Sequence, residues 1–253
     1  MSKNKLKKFV EMETYKHVFQ LSYNELAAGA TFDLKGRWHE HFFGNTNPIV
    51  IELGCGRGEY TIGLAERFPD KNFIGIDIKG ARMWTGATQA RERNMRNVAF
   101  VRTGINAINH FFAPGEVAEI WITFPDPQMK KVGKRLVSTD FLRLYEQILA
   151  PGGRINLKTD SQFLFTYACA VADINHLPTH VRTDNVYATH ADDDVLTIKT
   201  YYESQWLARG ITIKYLQFGI THKADWQEPN IEIPFDEYRS YGRQKRSELT
   251  AGK

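Results

Sequence analysis

The stretch Ile49-Val-Ile-Glu-Leu-Gly-Cys-Gly-Arg-Gly58 decides the fold class of this chain. An apolar run that leads into closely spaced glycines is typical of a buried parallel strand and a turn that cradles a phosphate or a cofactor. The spacing is G-x-G-x-G, and Glu59 stands where a dinucleotide-binding fingerprint needs its third glycine. Because a carboxylate at this helix N-terminus repels a pyrophosphate, the pattern disfavours a dehydrogenase.

Two acids near this turn indicate the charge of its ligand. Glu52 lies beneath the loop that is formed by Gly54, Gly56 and Gly58. Asp77 follows the next predicted strand, about 20 residues after the loop, where a Rossmann-type fold places the carboxylate that accepts hydrogen bonds from both ribose hydroxyls. Negative charge here suits a ligand with an ammonium and a sulfonium group. S-adenosylmethionine carries both, and we predict it as the cofactor.

A second segment, Phe124-Pro-Asp-Pro127, directly follows a strand-like run over 119–124. The two prolines end the strand and stiffen the turn, so Asp126 is held at the carboxyl edge of the sheet, where open α/β sheets bind ligands. Four cations come next: Lys130, Lys131, Lys134 and Arg135. A basic run by itself is usually a solvated surface. Beside a nucleotide-like site it favours a polyanionic substrate that carries a base with N–H donors.

The order of apolar runs predicts a parallel sheet. Strands are expected at 48–53, 72–78, 98–104, 119–125 and 153–160, with Pro151–Gly153 as the turn into the fifth. Helical stretches between them imply right-handed βαβ crossovers. Later strands are expected at 180–185 and 211–220, on either side of a helix over 195–209.

Composition limits the classes of protein. The net charge is only +4 with a pI near 8.9, so a nucleic-acid surface must come from clustered cations. Two cysteines form no disulfide framework, and the chain has no membrane-length apolar run and no hydrophobic leader segment at its start. We predict a cytoplasmic protein without a membrane partner. No metal is predicted, because the histidines lack ligand spacing and Asp192–Asp194 is typical of a helix cap.

Five motifs occur in an order that resembles the bacterial tRNA (guanine-N7)-methyltransferases. They are the glycine loop, Gly75-Ile-Asp77, Phe124-Pro-Asp-Pro with Lys130, Lys158-Thr-Asp160, and Thr200-x-x-Glu203. The likeness covers about 48–219. It implies a class I, Rossmann-like methyltransferase with a mostly parallel seven-stranded sheet and helices on both faces. The implied reaction methylates guanosine 46 of tRNA. Gln128 stands where the family usually has tryptophan, and the basic stretch after it is shortened.

The resemblance also implies domains and residue roles. Residues 1–47 are expected to be a basic, mobile arm and a lead-in, 48–221 the methyltransferase domain, and 222–253 an extension packed on or beside it. The cofactor is assigned to Glu52, the three loop glycines, Asp77, Asn106 and Asp126. Asp126 is the expected catalytic residue, and the base and RNA are assigned to Lys130, Asp160, Thr200, Tyr201, Tyr202 and Glu203. One of the two tyrosines is expected in the core and the other on a base.

Two other functions stay open on the sequence. One is a methyltransferase for a small molecule or another RNA, which the basic cluster disfavours if the substrate is small. The other is a non-catalytic RNA-binding partner, which the intact acids at 126, 160 and 203 disfavour. The sequence leaves both a monomer and a homodimer possible.

Overall fold

The computed structural model describes residues 3–221 and 225–238. Eight strands form its sheet: β1 Val18–Gln20, β2 Ile49–Leu53, β3 Asn72–Ile76, β4 Val98–Arg102, β5 Val117–Thr123, β6 Leu149–Thr159, β7 Thr179–Thr183 and β8 Lys214–Gly219. Their spatial order is β1-β4-β3-β2-β5-β6-β8-β7. The neighbours from β1 to β6 are parallel, whereas β8 runs antiparallel to both β6 and β7. The Rossmann-like, mostly parallel sheet is therefore confirmed.

Helices lie between the strands: α1 Lys3–Glu13, α2 Tyr23–Ala27, α3 Glu59–Arg67, α4 Gly80–Glu92, α5 Thr139–Ile148, α6 Gln162–Ile174, α7 Val186–Thr189 and α8 Tyr201–Leu207. A π-helix spans Trp38–Phe43, and short 3₁₀-helices span Ile105–His110 and Val132–Lys134. The helix expected over 195–209 is thus shorter than predicted. In 3–221 and 225–238, no helix combines the length and the apolarity that crossing a membrane needs.

The N-terminal region differs from the prediction of a mobile arm. Residues 3–20 contain α1 and β1, and β1 adds an eighth strand in parallel to β4. Met12 and Tyr15 are buried at 0% and 4% exposure, and the Tyr15 hydroxyl lies 3.0 Å from the Thr88 hydroxyl on α4. Burial of apolar side chains therefore fixes this segment against α4. Residues 1–2, 222–224 and 239–253, which include part of the predicted extension, lie outside the described residues.

The predicted turn at Pro151–Gly153 lies inside β6. There the pairing register with β5 shifts: Val117 pairs with Leu149, but Glu119 pairs with Arg154. The extra residues are accommodated as an irregularity in the strand, as in a β-bulge, so the chain does not leave the sheet.

Strand order creates a crevice. The chain runs from β2 outward through β3 and β4, and then returns to the other side of β2 as β5. The loops after β2 and β5 consequently lead in opposite directions. Ligands of open α/β sheets bind at such a switch point, outside the carboxyl ends of the strands.

Candidate active site

A cleft of about 570 Å³ lies at this switch point. Four of the seven predicted cofactor residues line it, and so do two of the six predicted substrate residues: Gly54, Gly56, Asp77, Asp126, Thr200 and Tyr202. Cationic side chains also reach it: Arg57, Lys79, Arg82 and Lys134. The cleft therefore joins the two motifs that the sequence separates by about 70 residues.

The three loop glycines have different functions. All have positive φ angles, of 74° at Gly54, 57° at Gly56 and 72° at Gly58. A Cβ added to Gly54 would meet no atom within 4 Å, whereas one added to Gly58 would lie 2.8 Å from the Phe100 ring and 3.2 Å from Gly86 Cα. Gly54 thus leaves an open face for a ligand, while Gly58 allows the close approach of α4.

Asp77 is fixed at the floor of the cleft. Its Oδ2 accepts a hydrogen bond from the Gly56 N–H at 2.9 Å, and its Oδ1 accepts one from the Lys79 N–H at 2.7 Å. The residue is only 9% exposed and lines the cleft. Because a carboxylate has about four lone-pair sites, two remain for ligand hydroxyls.

Glu52 lies behind the loop instead of lining the cleft. It is 3% exposed. It accepts hydrogen bonds from the Thr61 N–H at 2.8 Å, the Thr61 hydroxyl and the Thr123 hydroxyl at 2.6 Å. Burial raises the pKa of Glu52 to about 7, although the bonds from Thr123 and Thr61 oppose this. In this structure Glu52 thus lies beneath the glycine loop and does not line the cleft, and its contact with the cofactor stays a prediction.

Asn106 is not brought to this cleft. It is exposed in a neighbouring depression of about 420 Å³, while Ile105 lines the main cleft. The 3₁₀-helix after β4 turns the amide away and presents the apolar side chain that precedes it. Sequence position alone cannot distinguish these neighbours, because the orientation depends on the local helical turn.

The residues that are present fit S-adenosylmethionine. The open faces of Gly54 and Gly56 leave space at the loop, and Asp77 offers acceptors for ribose hydroxyls. Glu59 also lines the cleft, where its Oε2 accepts a hydrogen bond from the Tyr201 N–H at 3.0 Å. Glu59 therefore adds negative charge and joins α3 to α8. This charge suits a cationic ligand better than a pyrophosphate.

Asp126 stands on a strained turn at the opposite wall. Phe124 and Gln128 have φ angles of 49° and 48°, which are uncommon for side chains of this size. The Phe124 N–H donates to the Lys158 carbonyl at 2.8 Å, and the Gln128 N–H donates to Asp126 Oδ1 at 3.1 Å. Asp126 itself is exposed to the cleft. Strain of this kind is concentrated at functional sites.

The basic run divides into surface and buried cations. Lys130, Lys131 and Lys134 are exposed. Arg135 is only 6% exposed, and its guanidinium donates to the Met129 carbonyl at 3.0 Å and lies 4.3 Å from the Tyr167 ring centroid. Arg135 therefore stabilises the turn, and the predicted RNA contact by this residue is corrected.

Glu203 lies below the cleft in a buried ion pair. Its Oε1 is 2.7 Å from Lys158 Nζ, both side chains are 0% exposed, and the Tyr187 hydroxyl donates to it at 2.8 Å. Thr200 and Glu203 form a capping box that begins α8. The geometry thus makes Glu203 a support of α8, whereas Thr200 reaches the cleft.

Tyr201 and Tyr202 correct another prediction, because neither belongs to the core. They are 46% and 38% exposed. Arg57 lies 4.3 Å from the Tyr201 ring centroid, and Arg82 lies 5.6 Å from that of Tyr202. These cation–π contacts connect the glycine loop and α4 to α8 across the cleft.

Two aromatic residues that no sequence motif indicates, Tyr238 and Trp206, lie at the Asp160 side of the site. Asp160 is 0% exposed, and its Oδ2 accepts a hydrogen bond from the Tyr238 hydroxyl at 2.7 Å. Trp206 lines the cleft, and its ring packs against Tyr238. No local pattern marks this contact, because Tyr238 lies 78 positions from Asp160.

Known proteins share both the sequence and the fold. Residues 46–216 match a family described as "Putative methyltransferase". The tRNA (guanine-N(7)-)-methyltransferase of Bacteroides thetaiotaomicron is 56% identical over 253 residues, which is 100% of each chain. That of Porphyromonas gingivalis is 59% identical over 94% of this chain and 98% of its own. The chain belongs to the tRNA (guanine-N(7)-)-methyltransferase family. It is therefore a methyltransferase that uses S-adenosylmethionine.

More distant solved structures share the fold of this family member. A structure described as an antibiotic-related methyltransferase has a TM-score of 0.55 at 18% identity and covers 75% of this chain and 95% of its own. The 16S rRNA methyltransferase KamB has a TM-score of 0.53 at 15% identity, with coverage of 76% and 95%. At this identity the likeness establishes the fold alone.

Replacing Asp77 by alanine tests the cofactor site. We expect S-adenosylmethionine binding to weaken by about 1–3 kcal/mol, because the ribose hydroxyls lose a charged, buried acceptor. Calorimetry on the folded variant measures this. Asp70→Ala is the control, since Asp70 is an exposed acid in the turn before β3, at the opposite edge of the sheet. Unchanged affinity in Asp77→Ala would remove the carboxylate from the cofactor site.

Proposed function

We propose that this enzyme transfers the methyl group of S-adenosylmethionine to N7 of guanosine 46 in the variable loop of tRNA. The observation that carries the proposal is the position of Asp126. Asp126 lines the same cleft as the glycine loop and is followed by three exposed lysines, Lys130, Lys131 and Lys134. The names of the family relatives support the same substrate and atom. Since tRNA is a cytoplasmic substrate, we place the reaction in the cytoplasm.

The acceptor atom determines what the protein must supply. Guanine N7 has an available lone pair at neutral pH, so its methylation requires no general base. S-adenosylmethionine supplies an activated methyl group on a cationic sulfur. The residues of the cleft therefore contribute mainly by holding the base in line for transfer, and orientation of this kind accounts for large rate enhancements.

Asp126 is the residue that we assign to the base. Its carboxylate can accept hydrogen bonds from the guanine N1–H and N2–H₂ groups, and its charge stabilises the cation that develops on the methylated ring. The Gln128 N–H holds Oδ1, and the Phe124–Lys158 hydrogen bond holds the turn. The carboxylate is thus oriented before the substrate arrives.

The buried ion pair of Lys158 and Glu203 supports the turn that carries Asp126. Lys158 Nζ lies 5.7 Å from the Phe124 ring centroid and 2.9 Å from Glu203 Oε2, and it also donates to the Ile198 carbonyl at 3.0 Å. One side chain therefore connects the turn of Asp126 to the start of α8. We assign Lys158 and Glu203 to positioning and Thr200 to the pocket itself.

The three exposed lysines form the surface that we assign to RNA binding. Phosphate contacts from lysine fix the position of an RNA without reading its sequence, and the target base must leave its tertiary contacts to enter the cleft. Lys134 lines the cleft, so the proposed phosphate-binding surface extends from the exposed lysines to the cleft in which the methyl group is transferred.

One assay tests the proposed function as a whole. Purified enzyme is incubated with unmodified tRNA and methyl-labelled S-adenosylmethionine, and the modified nucleotide is mapped. We expect 7-methylguanosine at position 46, and no product on a transcript that carries adenosine there. Label at another atom, or no label in tRNA, would contradict the proposal. A free nucleoside as the better substrate would indicate a small-molecule enzyme instead.

Neutralising the lysines tests the RNA surface. In the variant Lys130→Gln/Lys131→Gln/Lys134→Gln we expect weaker tRNA binding and a flatter dependence of log K on log salt, by nearly one unit for each phosphate that is no longer neutralised. Filter binding at several salt concentrations measures the slope. The matched control replaces the same lysines by arginine and keeps the charge. If the glutamine variant has the wild-type slope, these lysines are a solvated surface.

A further inference from the structure

Residues 225–238, here called the C-terminal strap, cross the helices beside the active site. Glu228 accepts hydrogen bonds from the Thr139 N–H at 2.9 Å on α5 and from the Tyr167 hydroxyl at 2.5 Å on α6. Further along, Asp236 accepts from the Phe163 N–H at 3.1 Å and from the Ser161 hydroxyl. The strap is therefore anchored up to the residue that directly follows Asp160.

Tyr238, the last described residue of this strap, contacts Asp160 and Trp206. Its hydroxyl donates to Asp160 Oδ2 at 2.7 Å, and its ring centroid lies 5.4 Å from that of Trp206 with an interplanar angle of 66°. The Arg209 guanidinium lies 5.1 Å from the Trp206 ring and 5.8 Å from the Tyr238 ring. Trp206 in turn lines the cleft that contains Asp126.

Asp160 follows β6 at the same edge of the sheet as Asp126, yet Asp126 is exposed to the cleft and Asp160 is buried. With Tyr238 in place, Asp160 has 0% exposure. A buried carboxylate requires hydrogen-bond donors, and Tyr238 supplies one together with an aromatic face. A guanine base offers the same two features: a flat ring for Trp206 and an N–H donor for the carboxylate.

We propose that Tyr238 holds the place of the purine base, with its ring against Trp206 and its hydroxyl on Asp160, until the base displaces it. The inference rests on the proposed function, because the base that displaces Tyr238 is the guanine that is methylated. Displacement replaces one aromatic donor by another, so the carboxylate keeps a donor throughout. The methylated ring is cationic, and the face of Trp206 then also offers a cation–π contact.

Variants of Tyr238 test the subsite. Only enzyme molecules in which Tyr238 has left the pocket can bind the base. The apparent affinity for tRNA is therefore the intrinsic affinity multiplied by the fraction of such molecules. We expect Tyr238→Ala to lower the KM for tRNA about 5-fold, with the KM for S-adenosylmethionine unchanged. Tyr238→Phe, which keeps the ring but lacks the hydroxyl, should show a smaller decrease. Binding of tRNA in the presence of S-adenosylhomocysteine gives the same comparison without turnover.

Tyr15→Phe is the matched control, because it also removes a tyrosine hydroxyl that donates to a carboxylate, here that of Glu11, and it lies between α1 and β1, away from the strap. It should leave the KM for tRNA unchanged. An unchanged KM in both Tyr238 variants would overturn the inference. A decrease in kcat of about 10-fold in Tyr238→Phe would also overturn it, and would instead indicate that Tyr238 orients Asp160 for catalysis.

The two proposals fail in different ways. If wild-type enzyme forms 7-methylguanosine and the Tyr238 variants bind tRNA like wild type, only the base subsite is wrong. If wild-type enzyme forms no 7-methylguanosine, the proposed function is wrong and the subsite falls with it. Thermal unfolding of each variant accompanies the kinetics, and the phenylalanine variant carries the test if the alanine variant does not fold.

Discussion

Replacing Asp126 by asparagine is expected to lower kcat for tRNA methylation by about 10²-fold or more, the scale seen when one oriented electrostatic group is lost. The asparagine keeps the size of the side chain but loses the charge that faces the developing cation. The affinity for S-adenosylmethionine should change far less, because the glycine loop and Asp77 form the other wall of the cleft. Single-turnover kinetics at saturating cofactor measure the effect.

The control for this prediction is Asp173→Asn. Asp173 is exposed near the end of α6 and forms an ion pair with Arg182. Its replacement removes the same charge and should leave kcat unchanged. An Asp126→Asn enzyme with wild-type kcat would show that this carboxylate does not act on the base.

The pH dependence separates the roles of the acids. Because N7 needs no general base, kcat at saturating cofactor should stay nearly constant between about pH 8 and about pH 6. The cofactor KM should rise as the pH falls over the same interval, since the pKa of Glu52 is raised to about 7 by burial and protonation removes a negative charge beneath the loop. A sharp acidic loss of kcat with a pKa near neutrality would indicate a titrating base and would contradict N7 as the acceptor.

Replacing Lys158 by methionine should lower the free energy of unfolding by about 3–5 kcal/mol, the usual cost when one partner of a buried pair is removed. Glu203 would keep the Tyr187 hydroxyl but would lose the ammonium that lies 2.7 Å from its Oε1. The carboxylate would remain at 0% exposure without a compensating charge. Urea denaturation measures the loss.

Two further variants make this result specific. Arg182→Met breaks an exposed pair with Asp173 and should cost no more than about 1 kcal/mol. The double variant Lys158→Met/Glu203→Leu removes both charges and should recover part of the stability, because buried pairs are often replaceable by apolar residues. A Lys158→Met loss as small as that of Arg182→Met would contradict the buried-pair assignment.

The sequence by itself determined the central strands of the sheet, and the glycine turn and the acid that follow two of them. An apolar strand, a glycine turn and an acid after the next strand are local patterns, and the parallel βαβ arrangement brings the ends of such strands to one edge. Gly54, Gly56, Asp77 and Asp126 consequently line one cleft as predicted. The family resemblance added the acceptor atom, which no local pattern encodes.

Only the tertiary structure decided which polar residues face the cleft. Glu203 and Arg135 belong to sequence motifs that suggest substrate contact, yet packing buries both: Glu203 pairs with Lys158 on β6, and Arg135 lies against the Tyr167 ring on α6. Tyr238 lies in a segment without a recognisable motif, yet it reaches Asp160. These contacts depend on long-range packing of helices and the strap, whereas local sequence fixes only where strands, turns and caps begin.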